Sequence, residues 1–73
     1  MIAKNELISL GIKKLKMFGY SHVNKRNILS DEVYRIFFDQ ILRERLQENA
    51  EEREVIICLL QKIKLNTLNT SNP

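Results

Sequence analysis

The side chains with the strongest claim to nucleophilic or acid–base chemistry are Ser21, His22 and Cys58. A histidine activates a hydroxyl only when the two side chains meet, and adjacent residues of an extended segment point in opposite directions. Ser21 and His22 are adjacent in a polar stretch, so they are badly placed for a proton relay. Cys58 lies in a mostly apolar run, where a buried, unreactive thiol is the usual outcome. A reactive cysteine needs a helix start or a basic neighbour, and neither is evident from the sequence.

Carboxylates cluster where a third helix is expected to begin, at Glu51, Glu52 and Glu54. Acidic residues stabilise the first turn of a helix through its macrodipole, which explains the cluster without a ligand. A di-iron bundle also needs histidines facing its carboxylates, and the sequence has a single histidine in a loop. There is no glycine-rich phosphate loop. We therefore predict no metal, no cofactor, no small-molecule substrate and no enzymatic activity.

The length and composition indicate one small globular domain. A chain of 73 residues buries a limited core and is marginally stable alone. Its 44% hydrophobic and 29% charged residues are ordinary for a folded protein. The single cysteine allows no internal disulfide, the first residues do not resemble an export signal, and no run approaches the about 20 apolar residues of a membrane span. These features predict a cytoplasmic protein.

Hydrophobic periodicity predicts three helices, at about 3–18, 31–47 and 50–64. The second helix carries the widest apolar face and is expected to be central, contacting both neighbours. The fold class is therefore all-α: a small three-helix bundle with a long first connector and a disordered C-terminal tail. We expect one helical domain over residues 1–65 and a flexible tail over 66–73. The predicted inward-facing residues are Leu7, Ile8, Gly11, Ile12, Leu15, Phe18, Val33, Tyr34, Phe37, Phe38, Ile41, Leu42, Val55, Ile56, Leu59, Leu60 and Ile63.

Several residues predict where these helices end and cross. Gly19 suits the left-handed position after the first helix, and Gly11 in the apolar face predicts a close helix crossing. Ser30 is predicted to cap the second helix, and Asn24 a single turn in the connector. Asn49 is expected to form a capping box with the glutamate three residues later.

The sequence contains more apolar residues than three short helices need to cover one another. Ala3, Leu10 and Met17 recur every seven residues along one edge of the first helix, and Ile36, Cys58 and Leu65 also point away from the predicted core. Scattered apolar residues occur on any protein surface. A heptad-spaced stripe on a small domain instead favours helix-on-helix association. We therefore predict a partner-binding surface over Ala3, Leu10, Met17, Ile36, Cys58 and Leu65.

The predicted function is a non-enzymatic helical protein–protein interaction module. Its partner is expected to be either a second copy, giving a homodimer, or a larger bacterial or phage protein for which it serves as an adaptor or inhibitor. A composition rich in isoleucine, lysine and asparagine suggests an AT-rich genome, and the small size suits a phage or mobile-element product.

An uneven charge distribution supports an alternative, nonspecific nucleic-acid binding. Residues 1–29 contain six basic residues and one acid, a formal charge of +5, whereas residues 30–73 contain six basic residues and eight acids, −2. The candidate contacts are Lys13, Lys14, Lys16, Tyr20, Lys25 and Arg26. Neither later helix suits the major groove, because both begin with acids that repel phosphate.

Overall fold

The chain folds as three α-helices. The computed structural model describes residues 3–71, with side chains described through residue 66. Helix α1 is Lys4–Met17, α2 is Glu32–Glu48 and α3 is Arg53–Ser71, preceded by a 3₁₀ turn over Ala50–Glu52. The all-α three-helix bundle and its long first connector are confirmed. Within residues 3–71 no helix combines the length and apolarity needed to cross a bilayer.

Helix α2 packs against both α1 and α3, as its wide apolar face predicts. Nine buried residues from all three helices and the connector form the core: Leu7, Leu15, Val23, Ile28, Phe38, Leu42, Ile56, Leu59 and Ile63. Two residues predicted to face inward are largely exposed instead, Phe18 at 69% and Val33 at 46%. Phe18 is the C-cap of α1 and so lies beyond the helical periodicity; its ring stacks on Phe37 with centroids 6.4 Å apart.

The close crossing predicted at Gly11 is confirmed. A Cβ atom at this position would lie 2.5 Å from Cδ1 of Phe38 and 3.1 Å from Cδ1 of Ile28. Real Cβ atoms do not approach carbon this closely, so α1 reaches α2 only because residue 11 has no side chain. Gly19 follows α1 with φ +102°, the left-handed conformation that glycine adopts without strain.

Two asparagines fix the single turn predicted in the connector. The Asn24 side-chain oxygen accepts from the backbone N–H groups of Arg26 and Asn27 at 2.9 and 3.1 Å. The Asn27 side-chain oxygen accepts in return from the Asn24 N–H at 2.7 Å, and its amide donates to the His22 carbonyl. Each side chain therefore satisfies backbone donors at the other's position, which orders a segment without regular structure.

The cap of α2 lies one residue later than predicted. Asp31, not Ser30, is the N-cap, and its carboxylate accepts from the N–H groups of Val33 at 2.9 Å and Tyr34 at 3.4 Å. The Ser30 hydroxyl instead donates to the Arg26 carbonyl. The Ser30 side chain is thus bonded to the preceding turn, and the negatively charged Asp31 carboxylate caps the helix, where the helix dipole favours it.

The last helix extends beyond its predicted end near residue 64. Its backbone is helical through Ser71. Asn66, assigned by sequence to the tail, is half-buried, and its amide donates to the Leu29 carbonyl just before α2. Asn66 therefore belongs to the bundle. Of the rest of the predicted tail, only the helical backbone of residues 67–71 is described. The side chains of 67–71 and all of residues 72–73 lie outside the described residues.

Candidate binding groove

The predicted stripe on α1 is interrupted in the middle. Met17 is 77% exposed and Ala3 is exposed, but Leu10 is half-buried and packs against the core. Met17 lines a shallow depression on the outer side of α1 together with Ser9, Ile12, Lys13 and Lys16. The stripe is therefore not a continuous exposed surface.

The other predicted partner-binding residues lie on the two later helices. Ile36 on α2 and Leu65 on α3 are largely exposed, and Cys58 is an exposed free thiol. Ile36 lines a different depression from Met17, so the six residues do not form one concave site. Cys58 is not buried as a mid-helix thiol usually is, and Lys62, one turn later, is close enough to interact with it electrostatically.

Cys58 therefore has the basic neighbour that the sequence did not make evident. The pKa of Lys62 is lowered mainly by the Lys4 amine within hydrogen-bonding reach, because one of two such amines must be neutral to accept from the other; loss of solvent and charge repulsion lower it further. Lys62 beside Cys58, with Lys4 next to Lys62, makes this part of the surface polar. It is not an extension of an apolar stripe.

A groove of about 610 Å³ lies between α2 and α3. No residue of α1 lines it. Its apolar lining consists of Ile36, Ile57, Leu60 and Ile63. Ile36 is 61% exposed and Ile57 is 36% exposed, whereas Leu60 is half-buried and Ile63 is buried below them. Because α1 packs elsewhere on the two helices, this apolar surface has no cover within the described chain.

The two helices that form the groove are antiparallel. Near the end of α3, Asn66 bonds the chain just before α2, and at the other end Glu52 pairs with Arg45 near the end of α2. The first turn of α2 and the last described turns of α3 therefore lie at the same end of the groove.

Charged side chains surround the apolar lining. Glu32, Asp39 and Arg43 contribute from α2 and Lys64 contributes from α3, while Arg35, which also lines the groove, is buried. Asp39 and Arg43 form an ion pair at 2.7 Å, one helical turn apart. The groove thus combines an apolar centre with charges of both signs at its edge, the usual anatomy of a protein interface.

Sequence reasoning missed Arg35, which is only 4% exposed. Its charge excluded it from the expected core. Its spacing from Phe38 and Leu42, three and seven residues later, places it on the inward side of α2. Helical position alone, without regard to residue type, therefore predicts that Arg35 is buried. Its long apolar stem explains how an arginine occupies this position beside α3.

An ion pair closes the turn between α2 and α3. Arg45 binds Glu52 with both arms of its guanidinium, Nε to Oε2 at 2.7 Å and Nη2 to Oε1 at 2.8 Å. The Asn49 amide also donates to Oε1 at 3.1 Å, and the Asn49 oxygen accepts from the Glu51 N–H. The predicted capping box is therefore wrong in both of its defining bonds, because the Asn49 oxygen accepts from the N–H of Glu51 and not from that of Glu52. The Glu52 carboxylate binds Arg45, while the Asn49 N–H donates to the Arg45 carbonyl.

This pair predicts a pH-dependent contribution to stability. The hydrogen bond from Arg45 lowers the pKa of Glu52 below its ordinary value near 4.5. Because the folded-state pKa is depressed, the stabilisation is complete above that ordinary value and is lost as the pH falls through the lowered pKa. We expect Glu52→Gln to lower the thermal midpoint at pH 7, with the difference from the unsubstituted protein shrinking in acid below pH 4.5. Thermal unfolding followed by circular dichroism across this range measures it, and a difference constant with pH would contradict the role assigned to the pair.

The candidate nucleic-acid contacts are placed differently from one another. Lys13, Lys14 and Lys16 are exposed on α1, and Lys25 and Arg26 are exposed in the connector. Tyr20, in contrast, is half-buried and is engaged by other rings. Its centroid lies 5.3 Å from that of Phe37 and 5.8 Å from that of Tyr34. The basic side chains are accessible to phosphate, but Tyr20 is not a free platform for a base.

Residues 3–66 bring no three His, Cys, Asp or Glu side chains into position to hold a metal ion. No protein-family model, curated protein or solved structure matches this chain.

Proposed function

We propose that this chain is a non-enzymatic protein–protein interaction module, and that the groove between α2 and α3 is its binding surface. One observation carries the proposal: two large exposed isoleucines, Ile36 and Ile57, face solvent from opposite sides of one concave apolar surface. Exposed apolar residues that share a concave surface mark binding sites more often than scattered ones do.

The shape of the groove fits a helical segment of a partner. Two antiparallel helices form its walls, so it runs along their axes and suits the apolar faces of partner helices that run alongside them. Residues of such a helix at positions i, i+3, i+4 and i+7 would contact Leu60 and the two exposed isoleucines. The charges at the groove edge would fix the direction of the bound helix, because opposite charges favour one orientation.

The biological role that we propose for the module as a whole is that of an adaptor or inhibitor of a larger bacterial or phage protein. A small helical domain can act by occupying or joining surfaces of other molecules. The proposed compartment is the cytoplasm, where an exposed free thiol such as Cys58 stays reduced.

Affinity capture from a lysate of the source organism tests the proposal, using the tagged chain with and without nuclease. The groove variant is Ile57→Glu and the matched control is Met17→Glu, which adds the same charge at an exposed apolar position outside the groove. We expect a protein retained at near-stoichiometric amount after nuclease, lost with Ile57→Glu and kept with Met17→Glu. Retention by the groove variant together with loss by the control would move the binding surface to α1.

Nucleic-acid binding is a second candidate, favoured by one observation. Residues 7–30 contain no acid, and five basic residues of this segment, Lys13, Lys14, Lys16, Lys25 and Arg26, are exposed. Binding through these residues depends on counterion release, so affinity should fall steeply with salt. Titration of a labelled duplex at several salt concentrations measures this slope, and Lys13→Glu with Arg26→Glu should reduce it. An affinity that does not change with salt rejects this candidate.

A further inference from the structure

We infer that the groove is occupied by a second copy of this chain, in a two-fold dimer in which α2 of each copy packs against α3 of the other. This inference rests on the proposed function of the groove and names its partner. It is carried by the arrangement of charges around the groove, which matches itself under that symmetry.

Two opposite charges lie at one end of the groove, on opposite walls. Glu32 is in the first turn of α2 and Lys64 is near the end of the described part of α3; both line the groove. Among the described side chains, neither takes part in a salt bridge. The other acid in the lining, Asp39, is already paired with Arg43.

A two-fold axis parallel to the groove places these charges against each other. The rotation exchanges the two walls, so α2 of one copy faces α3 of the second while each helix keeps its direction. Glu32 then faces Lys64 of the second copy, and Lys64 faces Glu32 of the second copy. Facing helices are antiparallel, and the four helices form a bundle with two identical intermolecular ion pairs.

The remaining charges also favour this face over others. The charged groove residues comprise two acids and three bases, a formal charge of +1, whereas residues 1–29 carry +5. Two copies that meet through the groove keep the strongly basic connector and α1 away from the contact. The dimer covers Ile36 and Ile57 in both copies. A small chain thereby gains apolar burial that its own core lacks.

Charge reversal tests the arrangement. We expect sedimentation equilibrium at micromolar to millimolar concentration to give twice the 8.6 kDa mass of the chain. Glu32→Lys places lysine against Lys64 of the second copy, and Lys64→Glu places two glutamates together. Each variant alone should self-associate at least about tenfold more weakly, because like charges then meet at both symmetric contacts. Circular dichroism confirms that both remain helical, since both positions lie at the edge of the groove.

Mixing the two variants tests whether residue 32 of one copy meets residue 64 of the other. A Glu32→Lys chain and a Lys64→Glu chain restore both ion pairs only with each other, so a one-to-one mixture should form a heterodimer. A different affinity tag on each variant detects it. An intramolecular effect of either substitution cannot produce this rescue.

Three results would overturn the inference: a monomeric unsubstituted chain, a dimer unaffected by charge reversal, and a mixture that fails to pair. If the chain is a monomer, the groove is still available to another protein. Loss of a captured partner from the Ile57→Glu variant would then show that this protein binds in the groove. A dimer that tolerates both charge reversals and Ile57→Glu uses another face and contradicts the proposed function as well.

Discussion

Replacing Gly11 with valine is expected to lower the free energy of unfolding by about 3 kcal/mol, the upper part of the usual range for overpacked cores. A Cβ atom there would meet Cδ1 and Cε1 of Phe38 at 2.5 and 2.6 Å. Phe38 is fully buried, so its ring has no open space into which to move. The better helix propensity of valine recovers less than about 1 kcal/mol. Urea or guanidinium unfolding measures the difference.

A second pair of variants separates this clash from a general effect of substitution at residue 11. With Phe38→Val already in place, neither Cδ1 nor Cε1 of residue 38 remains to block the Cβ atom, and only Cδ1 of Ile28, at 3.1 Å, must shift slightly. Gly11→Ala should then stabilise the protein by up to about 1 kcal/mol, the gain in helix propensity, whereas the same substitution destabilises the unsubstituted chain. If Gly11→Val left the stability unchanged, α1 and α2 would not cross where the structure places them.

Glutamate at both exposed isoleucines of the groove is expected to weaken partner binding by at least about 100-fold. Ile36→Glu and Ile57→Glu place two charges in the centre of the interface, where each is desolvated without a partner. Both positions reach solvent in the free chain, so the stability should change by less than about 1 kcal/mol. Sedimentation equilibrium measures the self-association, and circular dichroism reports the fold.

The matched control places the same charges on exposed apolar residues outside the groove, Met17→Glu with Leu65→Glu. It should keep the binding of the unsubstituted chain. A groove variant that unfolds would show that the two isoleucines support the core. A control that loses binding while the groove variant retains it would restore the surface predicted from sequence.

The helices and their crossing were predictable because they depend on local patterns. A 3.6-residue apolar period identifies each helix regardless of its neighbours. Gly11 and Gly19 were informative for the same reason, since a glycine in an apolar face or after a helix has few structural explanations. The turn formed by Asn24 was also predictable, because asparagine side chains bond the backbone of their own segment.

The binding surface depends on tertiary packing, which the sequence predicted only in part. Ile36 was correctly expected to be exposed, but Ile57 was not identified, because its exposure depends on which side of α2 and α3 is covered by α1. The heptad spacing predicts Leu10 on the surface, although it is half-buried against the core. The sequence also does not predict which of two possible partners a side chain binds. Glu52, for example, pairs with Arg45 instead of the Asn49 backbone.

Photo-cross-linking from inside the groove tests most directly whether a partner binds there. A photoreactive amino acid at Gln61, an exposed residue that lines the groove, is compared with one at Ser9 in the shallow depression on α1. We expect a cross-linked product from position 61, at the mass of a dimer when the purified chain is irradiated alone, and none from position 9. Products from position 9 with none from position 61 would contradict the groove as the binding surface.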